Sequence, residues 1–190
     1  KFKAKGVSYC SLCDAPLFKN KIVGVVGGSD SAVKEALMIS KYAKKVYIIY
    51  RKEKIRPEPI NMEKIKDNKK IEIINNTNVV EIKGNKFVES VILDKAYKGK
   101  KELKLEGLFV AIGHLALSSL VKNLGVKLNK KGEVVIDRNS CTNVNGFFAA
   151  GDVTDTKFKQ AIIGVAQGVT AAYYAYQYIT SEKIVCMCDE

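Results

Sequence analysis

The chain has 190 residues, 47% hydrophobic and 27% charged. That composition fits one ordinary globular domain or two small ones and excludes disordered or collagen-like chains. No apolar run approaches the ~20 residues that cross a bilayer, and Lys1-Phe2-Lys3-Ala4-Lys5 does not lead into the apolar core of a secretory signal. The net charge is +12, but Arg stands only at 51, 56 and 138 and the other basic residues are Lys, scattered along the sequence. That pattern reads as a solvated surface rather than a nucleic-acid site, which favours clustered Arg. An odd set of five cysteines (10, 13, 141, 186 and 188) without a signal argues for a reducing, cytoplasmic setting. A first residue of Lys rather than Met leads us to expect a fragment or a processed product.

Residues 22–26 (Ile-Val-Gly-Val-Val) read as a short buried strand. Gly27-Gly28-Ser29-Asp30-Ser31 is a tight turn, with Asp30 or Ser31 placed to cap the helix that the spacing of Val33, Ala36, Leu37 and Ser40 predicts. Residues 46–50 are a second apolar strand, giving a β-α-β unit with parallel strands. A helix follows near 59–67, then strands near 71–75, 79–83, 88–94, 103–105 and 107–112. Beyond Gly113 the composition changes. Residues 118–124 read as a short helix and 133–136 and 147–150 as strands. Residues 160–179, apolar and rich in Ala, Gly and Tyr, read as a helix buried on more than one face. A boundary is expected near 113–116, and Cys186 and Cys188 fall on a tail. The fold class is α/β.

Three motifs carry chemistry. Gly27-x-Ser29-x-x-Ala32, between a strand and a helix, matches the dinucleotide pattern G-x-G-x-x-G/A apart from its central position. There the helix N-terminus offers free N–H groups to a pyrophosphate, and the Ser29 side chain bears on the closest approach. At the end of the second strand, where an NAD site keeps a carboxylate for the ribose, stand Tyr50-Arg51-Lys52 and then Arg56. Guanidinium forks suit a 2′-phosphate, which favours NADPH over NADH; the bland alternative is a basic loop. Cys10-Ser11-Leu12-Cys13-Asp14 suits a reversible disulfide with a carboxylate at hand for proton transfer. A half zinc site completed by Cys186 and Cys188 is the weaker alternative, since structural zinc prefers two C-x-x-C-like pairs or added histidines and the one histidine is His114. Inert thiols are the third. Cys141 reads as a small buried residue.

Taken in register, Gly6 to Asp14, Val25 to Ala36, Tyr50-Arg51-Lys52-x-x-x-Arg56, Leu108 to His114 and Gly146 to Asp152 resemble the low-molecular-weight thioredoxin reductases, pyridine nucleotide–disulfide flavoenzymes. The resemblance runs to about residue 179. It implies a Rossmann-like three-layer NADPH-binding domain with the redox pair over 1–113, the C-terminal segment of a second, flavin-binding Rossmann-like domain over 114–180, and a tail over 181–190. It implies that Cys13 lies nearest the flavin, that Cys10 attacks the partner disulfide, and that Asp14 moves the proton. Gly27, Gly28, Ser29, Asp30, Ser31 and Ala32 would hold the NADPH pyrophosphate, and Arg51, Lys52 and Arg56 the 2′-phosphate. Ile112 would join the coenzyme contacts. Gly151 and Asp152 would meet FAD at its ribityl–phosphate region, and Lys159, Gln160 and Ala161 its ring edge. The implied partner is thioredoxin or a similar small disulfide protein, and the implied assembly a homodimer. This sequence lacks the family's N-terminal flavin half, so FAD binding and turnover are expected only when that half or a second chain is supplied. The flavoprotein reductase of an alkyl hydroperoxide system, or a non-catalytic nucleotide-binding module, is the alternative.

Overall fold

Val23 and Val25 alternate with Gly24, so two valines share one face of their strand. In the computed structural model, which describes residues 1–180, two compact units divide the chain after Gly113. The first contains eight strands: β1 Val7–Ser8, β2 Ile22–Val26, β3 Lys45–Ile49, β4 Ile71–Ile74, β5 Val79–Lys83, β6 Ser90–Tyr97, β7 Lys100–Lys104 and β8 Gly107–Val110. Its helices are α1 Ser11–Asp14, α2 Asp30–Ser40 and α3 Pro59–Lys66. Five strands form a wholly parallel sheet in the order β1-β8-β2-β3-β4. Strands β5, β6 and β7 form a separate antiparallel sheet.

Alternation along the parallel strands builds two cores and hence three layers. Val23, Val25, Val46, Ile48 and Phe109 face Ala32, Val33, Ala36 and Ile39 of α2, with Ala15 and Phe18 from a 3-10 turn over Ala15–Phe18. The rings of Phe18 and Phe109 meet edge to face at 5.1 Å, the arrangement that aromatic quadrupoles favour. On the other face Ile49 and Leu108 pack with Val91 and Leu93 of the antiparallel sheet and with Leu105. Glu72 on β4 joins the sheets by accepting from Tyr97 of β6 and pairing with Lys98 and Lys45. The Lys98 ammonium, then Tyr97, hold its carboxyl down at about 2.

The second unit starts at His114 and is the more irregular. Residues Ser119–Leu124 form a 3-10 helix rather than an α-helix. The strands expected over 133–136 and 147–150 are reduced to single-residue bridges, Val134 to Leu128 and Thr154, and Phe148 to Cys141. Side chains take over the backbone groups a ladder would use. Asn129 Oδ1 accepts from Lys131 N and Glu133 N, and Asp137 Oδ1 from Asn139 N and Cys141 N. Such local bonds compete with sheet pairing.

Helix α4, Ala161–Thr180, corrects the reading of a helix buried on more than one face: none of its residues is buried. Gly164 lies against Gly151. The main-chain oxygen of Gln167 accepts from the Ser140 hydroxyl, and its side-chain oxygen accepts from Gly151 N. The opposite stripe, Ile162, Val165, Val169, Tyr173 and Tyr176, is more than half exposed at every position. No helix among the described residues is long and apolar enough to cross a membrane. Cys186 and Cys188 lie outside the described residues.

Candidate coenzyme cradle and redox pair

The turn after β2 is shaped by what its glycines exclude. A Cβ on Gly27, whose φ is +150°, would stand 2.3 Å from the carbonyl oxygen of Ala111 and 2.9 Å from Ala32 Cβ. A Cβ on Gly28 would stand 2.4 Å from the ring of Tyr50. Ala32, fully buried, is therefore the small third residue that lets helix and strand close up. Ser29 occupies the N-cap position of α2, and its hydroxyl makes no capping bond. Neither of the expected caps, Asp30 or Ser31, takes that place.

Gly27, Gly28, Ser29, Arg51, Lys52, Arg56 and Ile112 line one cavity of about 420 Å³, with Tyr50, Thr77, Asn78 and Ala111 completing its walls. Among the described residues no carboxylate lines it. It opens at the carboxyl ends of β2, β3 and β8, where open parallel sheets bind ligands. The rim is held by its backbone. Arg56 N donates to Gly28 O at 2.7 Å, Asn76 N to Lys52 O at 3.0 Å and Thr77 N to Tyr50 O at 3.0 Å, while buried Ile55 anchors the segment in the core. Arg51, Lys52 and Arg56 are exposed, and none has an ion-pair partner among the described residues.

Asp30, Ser31 and Ala32, expected among the coenzyme contacts, do not line the cavity. Asp30 Oδ1 accepts from Glu58 N at 2.9 Å and Asn61 Nδ2 at 2.8 Å, and Oδ2 pairs with Lys34 at 2.7 Å. The Lys34 bond first, then the two amide donors, pull its carboxyl down to about 2. Asp30 thus staples α2 to the start of α3, Ser31 is exposed on the first turn, and Ala32 packs beneath Gly27.

The cysteine pair sits at the same edge of the parallel sheet. Strand β1 ends at Ser8, is separated from β2 only by β8, and so delivers Cys10 to the carboxyl ends of the strands, the end that also carries the glycine turn. Cys10 caps α1, its Sγ accepting from Cys13 N at 3.2 Å, and the two cysteines form a disulfide with Cα atoms 5.3 Å apart. Cys13 is exposed and Cys10 half-buried. Asp14 Oδ2 accepts from the Ser8 hydroxyl at 2.7 Å. Ser8, Thr77 and Asn78 escape the sequence reading. Asn78 is pinned by Asp94, which accepts from its N–H and its side-chain amide, and only the Asn-rich stretch after β4 hints at it.

In the second unit, Gly151 and Asp152 open a 3-10 turn, Gln160 O accepts from Ile163 N and Gly164 N at the start of α4, and Ala161 and Asp152 are exposed. Lys159, expected at a flavin edge, has its ammonium spent inside its unit. It donates to Asp152 O at 3.0 Å and Thr154 O at 2.7 Å and pairs with Glu133 at 3.0 Å. An ammonium has three protons, and these three partners match them among the described residues.

A larger hollow of about 990 Å³ runs over α2 and α3, lined by Lys34, Leu37, Lys41, Lys64 and neighbours. It holds neither the glycine turn nor the cysteines. Lys34 is tied to Asp30 there and Lys70 to Ser40 O, so volume does not mark the chemistry.

A β-α-β glycine turn with a cationic rim, beside a C-x-x-C disulfide on the same sheet edge, defines a nucleotide-linked disulfide oxidoreductase fold. Residues 1–168 match the family described as Pyridine nucleotide-disulphide oxidoreductase, and the chain belongs to that family. It is 39% identical over 184 residues to a thioredoxin reductase of Yarrowia lipolytica, covering 94% of this chain and 57% of the relative. It is also 39% identical over 176 residues to an alkyl hydroperoxide reductase component of Staphylococcus aureus, covering 92% of this chain and 34% of that protein. The solved thioredoxin reductase of Streptococcus pyogenes superposes with a TM-score of 0.83 at 32% identity over 93% of this chain and 58% of its own. The chain thus spans less than two thirds of the length of these relatives.

Proposed function

We propose that the chain forms the coenzyme-binding and dithiol part of an NADPH-dependent protein-disulfide reductase of the thioredoxin reductase kind. The carrying observation is the cavity where Gly27, Gly28 and Ser29 face Arg51, Lys52 and Arg56, in the same unit as the Cys10–Cys13 disulfide. The cavity fits NADPH. Side-chain-free glycines let a pyrophosphate approach the start of α2, and three unpaired cations with no carboxylate suit a 2′-phosphate. Bound NADPH supplies a hydride. The chain's own residues bind and orient the coenzyme, and the cysteine pair takes up the equivalent of that hydride, two electrons and one proton, with a second proton from solvent, as its S–S bond opens to two thiols. The Cys10 sulfur then attacks a disulfide on a small protein such as thioredoxin, Cys13 resolves the mixed disulfide, and Asp14 carries the proton.

Residues 1–113 are the coenzyme domain in this reading, and 114–180 are the closing part of a flavin domain. The apolar outer stripe of α4 supports this, because a helix apolar on all sides belongs to a core, and the relatives have further chain to supply one. The described residues contain one strand–glycine turn–helix cradle, and the coenzyme occupies it in this reading. Asp152 and the start of α4 alone do not make a flavin site.

The similarity to the staphylococcal alkyl hydroperoxide reductase component supports a second reading, a disulfide reductase serving a peroxide system. Calorimetry separates the coenzyme assignments. NADPH is expected to bind the chain at least tenfold more tightly than NADH, and Arg51→Glu with Arg56→Glu is expected to abolish the difference. Equal affinities, or a preference that survives the double substitution, would refute the 2′-phosphate assignment.

A further inference from the structure

Ser8 ends β1 and is only 4% exposed. Its register partner is Phe109 on β8, which fixes the hydroxyl two residues ahead of Cys10. A hydroxyl has one proton and two lone pairs. The Oγ lies 2.7 Å from Asp14 Oδ2 and 3.4 Å from Cys10 O, so the proton goes to the shorter, charged acceptor. The oxygen in turn accepts from Cys10 N at 3.2 Å. Asp14 N donates to Cys10 O at 3.1 Å, which closes a small network around the first cysteine. Asp14 Oδ1 takes no hydrogen bond among the described residues. Asp14 also lines a cavity of about 540 Å³ with Leu17 and Phe87, both more than half exposed.

The geometry points to Ser8 as a positioning residue for Asp14 in thiol–disulfide exchange. By occupying Oδ2 it leaves Oδ1 as the oxygen that meets the sulfur. The inference rests on the proton-carrying role proposed for Asp14. In that exchange the Cys10 thiol gives its proton to the Asp14 carboxylate and its sulfur attacks a substrate disulfide. A bond from Cys10 to one substrate sulfur forms, the substrate S–S bond breaks, and the departing thiolate takes that proton from Asp14. Cys13 then gives its proton to the Asp14 carboxylate, and its sulfur displaces the second substrate thiolate from Cys10. That thiolate takes the proton in turn, and Asp14 is left a carboxylate as it began. The dithiol loses two electrons and the substrate disulfide gains them.

The test uses the whole chain, reduced with dithiothreitol, freed of it and mixed with oxidised glutathione. Oxidation of the peptide holding Cys10 and Cys13 is followed by alkylation and mass spectrometry. Asp14→Asn is expected to slow exchange by roughly 100-fold, the lower end of general acid–base effects, and Ser8→Ala by about tenfold. Ser8→Thr, which keeps the hydroxyl, is expected to restore the rate, and Ser8→Ala is expected to add nothing in the Asp14→Asn background, the mark of two residues acting as one unit. A Ser8→Ala chain as fast as the parent, or one slowed equally with and without Asp14, overturns the inference while the role of Asp14 stands. An Asp14→Asn chain as fast as the parent overturns the role of Asp14 and this inference with it. Should the alanine variant fail to fold by circular dichroism, Ser8→Thr against the near-isosteric Ser8→Val makes the same comparison.

Discussion

Glu35 is a carboxyl in the wrong solvent. On α2, Asp30 and Ser40 are turned to α3 and the residues flanking it, bonding to Asn61 and Asn68. Helical periodicity sends Glu35 to the other flank, where α1 and the following 3-10 turn pack against α2. Its Oε2 is buried with no hydrogen-bond partner among the described residues, and desolvation pushes its carboxyl up from 4.5 to about 7. An acid whose folded value is raised holds its proton in the folded state while the unfolded chain has already lost it, so stability falls as pH rises. The loss begins as pH passes 4.5 and is complete above about 7. At 1.36 kcal/mol per pH unit the ceiling is about 3 kcal/mol. Solvent screening of the partly exposed side chain reduces this to roughly 1–2 kcal/mol. Glu35→Gln is therefore expected to stabilise the first unit by that amount at pH 8 and by almost nothing at pH 4, measured by urea unfolding followed by circular dichroism. A parent chain whose stability is flat between pH 4.5 and 7, or a glutamine variant with the same offset at both pH values, would refute the reasoning.

Gly28→Ala sets a methyl 2.4 Å from the Tyr50 ring. It should cost about 1–3 kcal/mol by overpacking and weaken NADPH binding measured by calorimetry; an unchanged melting temperature and affinity would show that the ring yields freely. Lys159→Met leaves the carbonyls of Asp152 and Thr154 without their donor. It should destabilise the second unit by about 1–3 kcal/mol in thermal unfolding, and no shift would mean that water replaces the ammonium. Phe109→Ala, which empties a fully buried site between β8 and the 3-10 turn, should cost about 3–5 kcal/mol in the same urea assay, and a cost below 1 kcal/mol would mean that the core collapses around the gap.

Periodicity made the first unit readable. The runs 22–26 and 46–50, with a helical pattern between them, leave one topology once right-handed crossover is required, and the strands and α3 lie near their expected places. Strand β1 was too short to register, yet it delivers the cysteine pair to the sheet edge. Motif residues were legible where backbone geometry dictates residue type, as at Gly27, Gly28 and Ala32. They were less legible where a polar side chain chooses among partners. Asp30 and Lys159 both sit where a ligand contact was expected, and each is satisfied by protein groups that only the tertiary fold brings near. The second unit was the least legible, because Asn129 and Asp137 bond locally instead of allowing ladders, and because a helix as uniformly apolar as α4 gives no hint of what lies beside each face.

The main-chain bond from Arg56 to Gly28 has an implication for how coenzyme preference can change. The strip bearing the three cations is held by amides and by Ile55, and among the described residues its charged tips have no part in holding it. Charge at 51, 52 and 56 can therefore be rewritten, by evolution or by an engineer, without remaking the scaffold that presents it. Selectivity for one nicotinamide coenzyme over the other is in that sense an interchangeable label on a fixed mount.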